Sequence, residues 1–314
     1  MARRPPGITV PNLVGTRAVV TGGSDGIGLH IAARLAAAGA DVVLPVRNLR
    51  KAETAVATIR IAVPAASVSL HTMDLASLDS VRAFGEVLRS SGQPVNLLIL
   101  NAGVMTPPDR QTTVDGFELQ LGTNHLGHVA LVSHLLPLLR AGRARVTSQI
   151  SVAANRGAMN WDDLNWERSY DGMRAYSQSK FALGLFALEL GRRSEAHGWD
   201  ITSNLSHPGI APTSLLSARP ELERAGDTRG VRLIRWLSAR GILAGTPETA
   251  ALPALYASTS PDAKPGRFYG PDGPGHMGGA PAEQRLYSRL RGEDEARRVW
   301  DVSEEVTTAR FPVR

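Results

Sequence analysis

The stretch Ala18-Val19-Val20-Thr21-Gly22-Gly23-Ser24-Asp25-Gly26-Ile27-Gly28 decides the fold. A short β-branched run ends in glycines, and the glycines open directly into the amphipathic pattern Ile27 to Ala38, which Gly39 closes as a helix C-cap. Bare glycine backbone at such a turn lets a pyrophosphate approach, and the free amides and positive dipole end of the helix favour its charge. The strand, turn and helix context is what raises a glycine-rich loop above coincidence. The same residues also match GxSxG, the nucleophile elbow of hydrolases, with Ser24 as nucleophile. That alternative is poorly placed: the serine follows the first strand, and His207 has no acid partner to complete a triad.

The same rhythm continues outward. Apolar runs at Val42 to Val46, Val68 to Met73, Val95 to Leu100, Ala144 to Ile150 and Ile201 to Ser206 read as strands. Helical patterns fall at Leu49 to Arg60, Leu78 to Ser90, Phe117 to Arg140 and Ala175 to Ala196. Alternation of this kind demands right-handed crossovers, so the expected fold is α/β, a doubly wound Rossmann-type parallel sheet between two helix layers. The expected organisation is a disordered segment at 1–15, one dinucleotide-binding domain at 16–279 with a helical lid at 213–245, and a helical tail at 280–314. Arg267 to Tyr269 reads as a last edge strand.

Composition narrows the chemistry. The chain has 314 residues, 43% hydrophobic and 20% charged, and no cysteine. Disulfides, thiolate nucleophiles and cysteine-held metals are therefore absent, and a reducing, cytoplasmic setting is expected. The net charge of +6 is dispersed, and aromatic content is 5%, which argues against a nucleic-acid partner. Met1 to Gly15 lacks the apolar core of a secretory signal, and no apolar run approaches the roughly 20 residues that span a bilayer. Only three of the 35 Lys+Arg residues are lysines, Lys51, Lys180 and Lys264, which makes each lysine a marked choice.

One of them stands in Arg174-Ala175-Tyr176-Ser177-Gln178-Ser179-Lys180, where i, i+4 spacing puts Tyr176 and Lys180 on one helix face. A phenol with a pKa near 10 is a poor acid–base catalyst at neutral pH. An ammonium beside it, with an oxidised nicotinamide, favours the phenolate. At the end of the second strand, about 20 residues past the loop where an acid would hold a ribose 2′-hydroxyl, stands Arg47, suited to a 2′-phosphate. This favours NADP(H) over NAD(H), although Asp25 in the loop opposes it.

With these residues read, the chain resembles the short-chain dehydrogenase/reductase family from about Thr16 to Gly270. The ordered motifs are the glycine loop, Asp74-Leu75, Leu100 to Gly103, Thr123 to His128, Ser151, Tyr176 with Lys180, and His207 to Thr213. The segment Asp162 to Lys180 looks most like the retinol-dehydrogenase-like and protochlorophyllide-reductase-like branch. The resemblance implies an oxidoreductase in which Tyr176 exchanges a proton with the substrate oxygen and Ser151 holds that oxygen. Lys180 would bind the nicotinamide ribose, and Asn124 would hold a water linking the lysine to solvent. Cofactor contacts are implied for Gly22, Ser24, Asp25, Gly26, Ile27 and Gly28, for Arg47 and Asn48, for Asp74 and Leu75, for Asn101, Ala102 and Gly103, and for Pro208, Gly209, Ile210 and Thr213. Where the family has two adjacent serines, this chain has Ile150 and Ser151. Ser148, an odd number of residues earlier, would face away.

The expected substrate is a carbonyl or alcohol, with the apolar residues from Leu215 to Leu243 hinting at a lipophilic one. A non-catalytic nucleotide sensor or scaffold is the alternative, opposed by the complete set Asn124, Ser151, Tyr176 and Lys180. His125 and His128 lack a third ligand nearby and are expected to bond locally rather than hold metal. Asn204-Leu205-Ser206 is a chance sequon within a strand. The long helices at Phe117 to Arg140 and Ala175 to Ala196 match those the family often pairs across a two-fold axis, which leaves a homo-oligomer, dimer or tetramer, open to the chain.

Overall fold

In the computed structural model, residues 7–212 and 245–312 are described. They form an eight-stranded sheet in the order β3-β2-β1-β4-β5-β6-β7-β8. The strands are β1 (Arg17–Val20), β2 (Asp41–Val46), β3 (Val68–Thr72), β4 (Leu97–Leu100), β5 (Arg145–Gln149), β6 (Thr202–Ser206), β7 (Phe268–Pro271) and β8 (Pro281–Gln284). The first seven are parallel and only β8 runs antiparallel, against β7. Central strands such as β4, Leu-Leu-Ile-Leu, are buried on both faces, which is why they read as continuous apolar runs.

On one face lie α1 (Gly26–Ala37), α2 (Leu49–Ala62) and α8 (Leu252–Thr259), with the short α7 (Pro247–Ala250) leading into α8. On the other lie α3 (Leu78–Ser91), α5 (Gly127–Ala141) and α6 (Gly172–His197), joined by α9 (Glu293–Thr307). The strand order reverses between β1 and β4, and in open sheets of this type a ligand crevice opens at the carboxyl ends of such strands. The glycine loop after β1 and Asn101 to Gly103 after β4 meet there.

Four expectations change. Residues 7–15 are packed rather than disordered: Leu13 is buried, Ile8 and Val10 lie on the core, and Arg34 donates to the Ile8 carbonyl. The helix expected from Phe117 to Arg140 is broken into α4 (Leu119–Leu121), a π-turn at Gly122–Leu126 and α5. Phe268–Pro271 is not an edge, because Pro281–Gln284 folds back beside it as β8. The 280–314 tail therefore starts as a strand and becomes helical only at Glu293. Its α9 buries Val299 and Trp300 in the core shared with Phe186 of α6 and also touches α5. The lid expected at 213–245 lies, but for Gly245, outside the described residues.

Candidate active site

The glycine loop is held to β4 by hydrogen bonds that leave no room for side chains. Asn101 donates from Nδ2 to the Thr21 carbonyl at 2.9 Å, and the amides of Asn101 and Ala102 donate to Thr21 Oγ1 at 2.9 and 3.0 Å. A Cβ on Gly28 would lie 2.1 Å from the Gly22 carbonyl oxygen, and Gly22 itself has φ +67°. Such a bare cradle at a helix N-terminus suits a pyrophosphate.

Tyr176 and Lys180 lie on α6, whose start is set by Asp171, which accepts from the amides of Met173 and Arg174. Both side chains are buried. Burial pushes the Tyr176 pKa up, and the nearby Ser151 side chain pulls it partly back. Ser151 caps the 3-10 turn Val152–Arg156 by accepting from the Ala153 amide. Lys180 donates from Nζ to the Gln149 carbonyl at 3.0 Å, and burial lowers its pKa to about 8. Ser148 stays buried in β5 without a hydrogen-bond partner.

Asn124 sits within the π-turn, a local widening that recurs at functional sites. Its Oδ1 accepts from the Val104 amide at 2.7 Å, and its Nδ2 donates to the Val104 carbonyl and to Ser179 Oγ, both at 2.9 Å. This side chain therefore ties the β4 extension to α6 beside Gly103, where an added Cβ would lie 3.4 Å from Lys180 Nζ.

Around the cofactor side, Arg47 is exposed at the end of β2, and among the described residues it makes no hydrogen bond or ion pair. Asn48 caps α2 by accepting from the Lys51 amide. Asp25 accepts from the Gly26 amide and pairs with Lys51. Asp74 accepts from the Ala76 amide, and Leu75 packs against Gly127 at the start of α5. Gly209 donates to His207 Nδ1, and the Ile210 amide donates to the Met277 carbonyl. Thr213 lies outside the described residues.

Two roles were missed. Gln149 links the halves of the site: its carbonyl takes Lys180, and its Nε2 donates to Asn101 Oδ1 at 2.7 Å. The other is the part played by His128, at the start of α5, in holding the glycine loop. The His128 Nδ1 donates to the Asn124 carbonyl at 2.9 Å, which leaves Nε2 as acceptor for the Thr21 hydroxyl at 3.0 Å. Both histidines of the Thr123 to His128 motif bond locally, as expected, since His125 Nε2 meets Ser303 Oγ at 2.7 Å. No signal short of the folded contacts marks Gln149, whose carbonyl acts without regard to its side chain.

A doubly wound sheet with a glycine cradle at its switch point defines a dinucleotide-binding protein. The family described as short chain dehydrogenase matches residues 16–223. Human retinol dehydrogenase 13 is 36% identical over 93% of this chain and 83% of its own. Mouse polyprenol dehydrogenase is 36% identical over 92% of this chain and 85% of its own. Among solved structures, an uncharacterized protein from Mycobacterium Paratuberculosis superposes with a TM-score of 0.77 at 33% identity, covering 96% and 97% of the two chains. A short chain dehydrogenase from Burkholderia cenocepacia in complex with NADP superposes with a TM-score of 0.61 at 26% identity, covering 80% and 93%. The chain belongs to the short-chain dehydrogenase family and is an oxidoreductase that uses a nicotinamide cofactor. No described helix is long and apolar enough to cross a membrane.

Proposed function

We propose that the chain is an NADP(H)-dependent enzyme that moves hydride between the cofactor and the carbon of a carbonyl or alcohol on a lipophilic small molecule. The observation that carries this reading is that α6 buries Tyr176 and Lys180 one turn apart, with Ser151 near enough to the phenol to hold its pKa down. When bound, the nicotinamide supplies or accepts the hydride. Tyr176 gives its proton to the substrate oxygen in reduction and takes it back in oxidation. Ser151 holds that oxygen by a hydrogen bond as its charge develops. Lys180, still an ammonium at neutral pH, places a cation on the tyrosine's face of α6 and favours release of the phenolic proton. Asn124 keeps Val104 and Ser179 in register around that lysine.

The Arg47 guanidinium, unpaired among the described residues, supports a 2′-phosphate and hence NADP(H), as do relatives solved with NADP. A lipophilic substrate is supported by relatives named for retinol and polyprenol. The cysteine-free composition supports a reducing compartment such as the cytoplasm. The test is NADPH consumption over a panel of long-chain and cyclic aldehydes and ketones. Turnover is expected for the wild type and a loss of about 10²–10⁴-fold for Tyr176→Phe; equal rates for the two on every substrate refute the tyrosine's role.

A further inference from the structure

The charge at the mouth of the glycine loop is set by a lysine that no motif includes. Asp25 is the N-cap of α1, with Oδ1 accepting from the Gly26 amide at 2.7 Å and Oδ2 held by Lys51 Nζ at 2.5 Å. Lys51 belongs to the first turn of α2, and its own amide is fixed by Asn48 Oδ1 at 3.0 Å. The segment 47–51 thus carries two cations, Arg47 and Lys51, and Lys51 reaches the turn that carries the acid. From this geometry we infer that Lys51 is a specificity-determining residue: it neutralises Asp25 so that the loop accepts a 2′-phosphorylated adenosine. The inference rests on the NADP(H) reading above.

A carboxylate near the adenosine ribose would do two things. It would repel a 2′-phosphate, and it would offer an acceptor to a free 2′-hydroxyl, the pattern that selects NAD. The ion pair suppresses both by occupying Oδ2 and cancelling the charge. Stability gives no reason for the pair, since Asp25 and Lys51 are 37% and 55% exposed and such surface pairs contribute little to folding. The same exposure allows both positions to be varied in the intact protein.

The test uses adenosine 2′,5′-bisphosphate and 5′-AMP, which differ in the 2′-phosphate and carry no nicotinamide, and reads affinity by calorimetry. For Lys51→Gln, the preference for the bisphosphate is expected to fall roughly tenfold, the scale of a lost charge-assisted interaction. With Asp25→Asn already present, Lys51→Gln should change the preference by less than about twofold, because no carboxylate remains to be neutralised. An unchanged preference in Lys51→Gln overturns the inference, and so does an equal loss on the Asp25→Asn background, which would mean the lysine acts independently of Asp25. If the wild type does not prefer the bisphosphate, the NADP(H) reading itself fails, an outcome separate from either.

Discussion

Lys180 Nζ donates to the backbone carbonyl of Gln149 at 3.0 Å, which buries a cation against a strand end with no carboxylate among the described residues paired to it. Burial therefore dominates, and the pKa drops from 10.5 to about 8. Below pH 8 the folded and unfolded chains both carry the proton, and the full cost of burying the charge is present. Between about 8 and 10.5 only the unfolded chain keeps it, so stability rises with pH, by about 3 kcal/mol in all. Thermal melts of the cofactor-free protein from about pH 7.5 to 9.5, below the range where tyrosines titrate, should show this rise. Lys180→Met should be flat over the same window, and parallel curves would mean that the lysine is not buried as described.

The buried histidines extend the same dependence to acid. His125 and His128 are held neutral by burial, with pKa values lowered from 6.5 to about 3, and His207 is lowered to about 4. Their contribution is complete above the unfolded value near 6.5 and is lost as pH falls toward the folded values. Each pH unit in that window costs about 1.4 kcal/mol per histidine. Against an ordinary domain stability of about 5–15 kcal/mol, that is enough to unfold the protein near pH 4. Circular dichroism against pH should show the transition, and His125→Phe, which keeps a ring against Phe186, should move its midpoint downward.

The glycine cradle yields a contrast between neighbours. A Cβ at Gly28 would meet backbone, 2.1 Å from the Gly22 oxygen, whereas one at Gly23 would meet the tip of Leu44 at 2.5 Å. A leucine tip can rotate away and a backbone carbonyl cannot. Gly28→Ala should therefore cost about 1–3 kcal/mol in urea unfolding and weaken nucleotide binding at least tenfold, while Gly23→Ala costs less on both counts. Equal effects would show that the loop yields as readily as a side chain.

Much of the fold is legible in the sequence. Strand and helix order followed from the alternation of apolar runs, and β1, β4 and β5 fall within a residue or two of expectation or inside the expected span because both faces of each are buried. Tyr176, Lys180 and Ser151 were legible because spacing, a scarce residue type and the parity of a strand constrain them. Three features were hidden for physical reasons. The break at Gly122–Leu126 is paid in side-chain bonds from Asn124 to Val104 and Ser179, partners remote in sequence. The Asp25–Lys51 pair joins two helix starts that only the β1–β2 pairing brings together. The strand β8 has little alternating character, because Pro281–Gln284 is an edge whose exposure varies residue by residue.

The tail is the clearest case of packing that composition conceals. Trp300 is fully buried, stacks on Phe186 at 4.9 Å, lies 4.4 Å from Phe311, and receives the Arg193 guanidinium on its ring. Its indole donates to Glu304, which also accepts from the Phe311 amide. Removing that ring leaves a large void between α6 and α9, so Trp300→Ala should cost about 3–5 kcal/mol in chemical denaturation. The same packing sets α9 against α6 and α5, and sedimentation should find the wild type monomeric. If Trp300→Ala forms dimers that the wild type does not, the tail's coverage of α5 and α6 is what keeps the chains apart. A wild-type dimer with its interface on α5 and α6 would show instead that α9 leaves those faces open in solution.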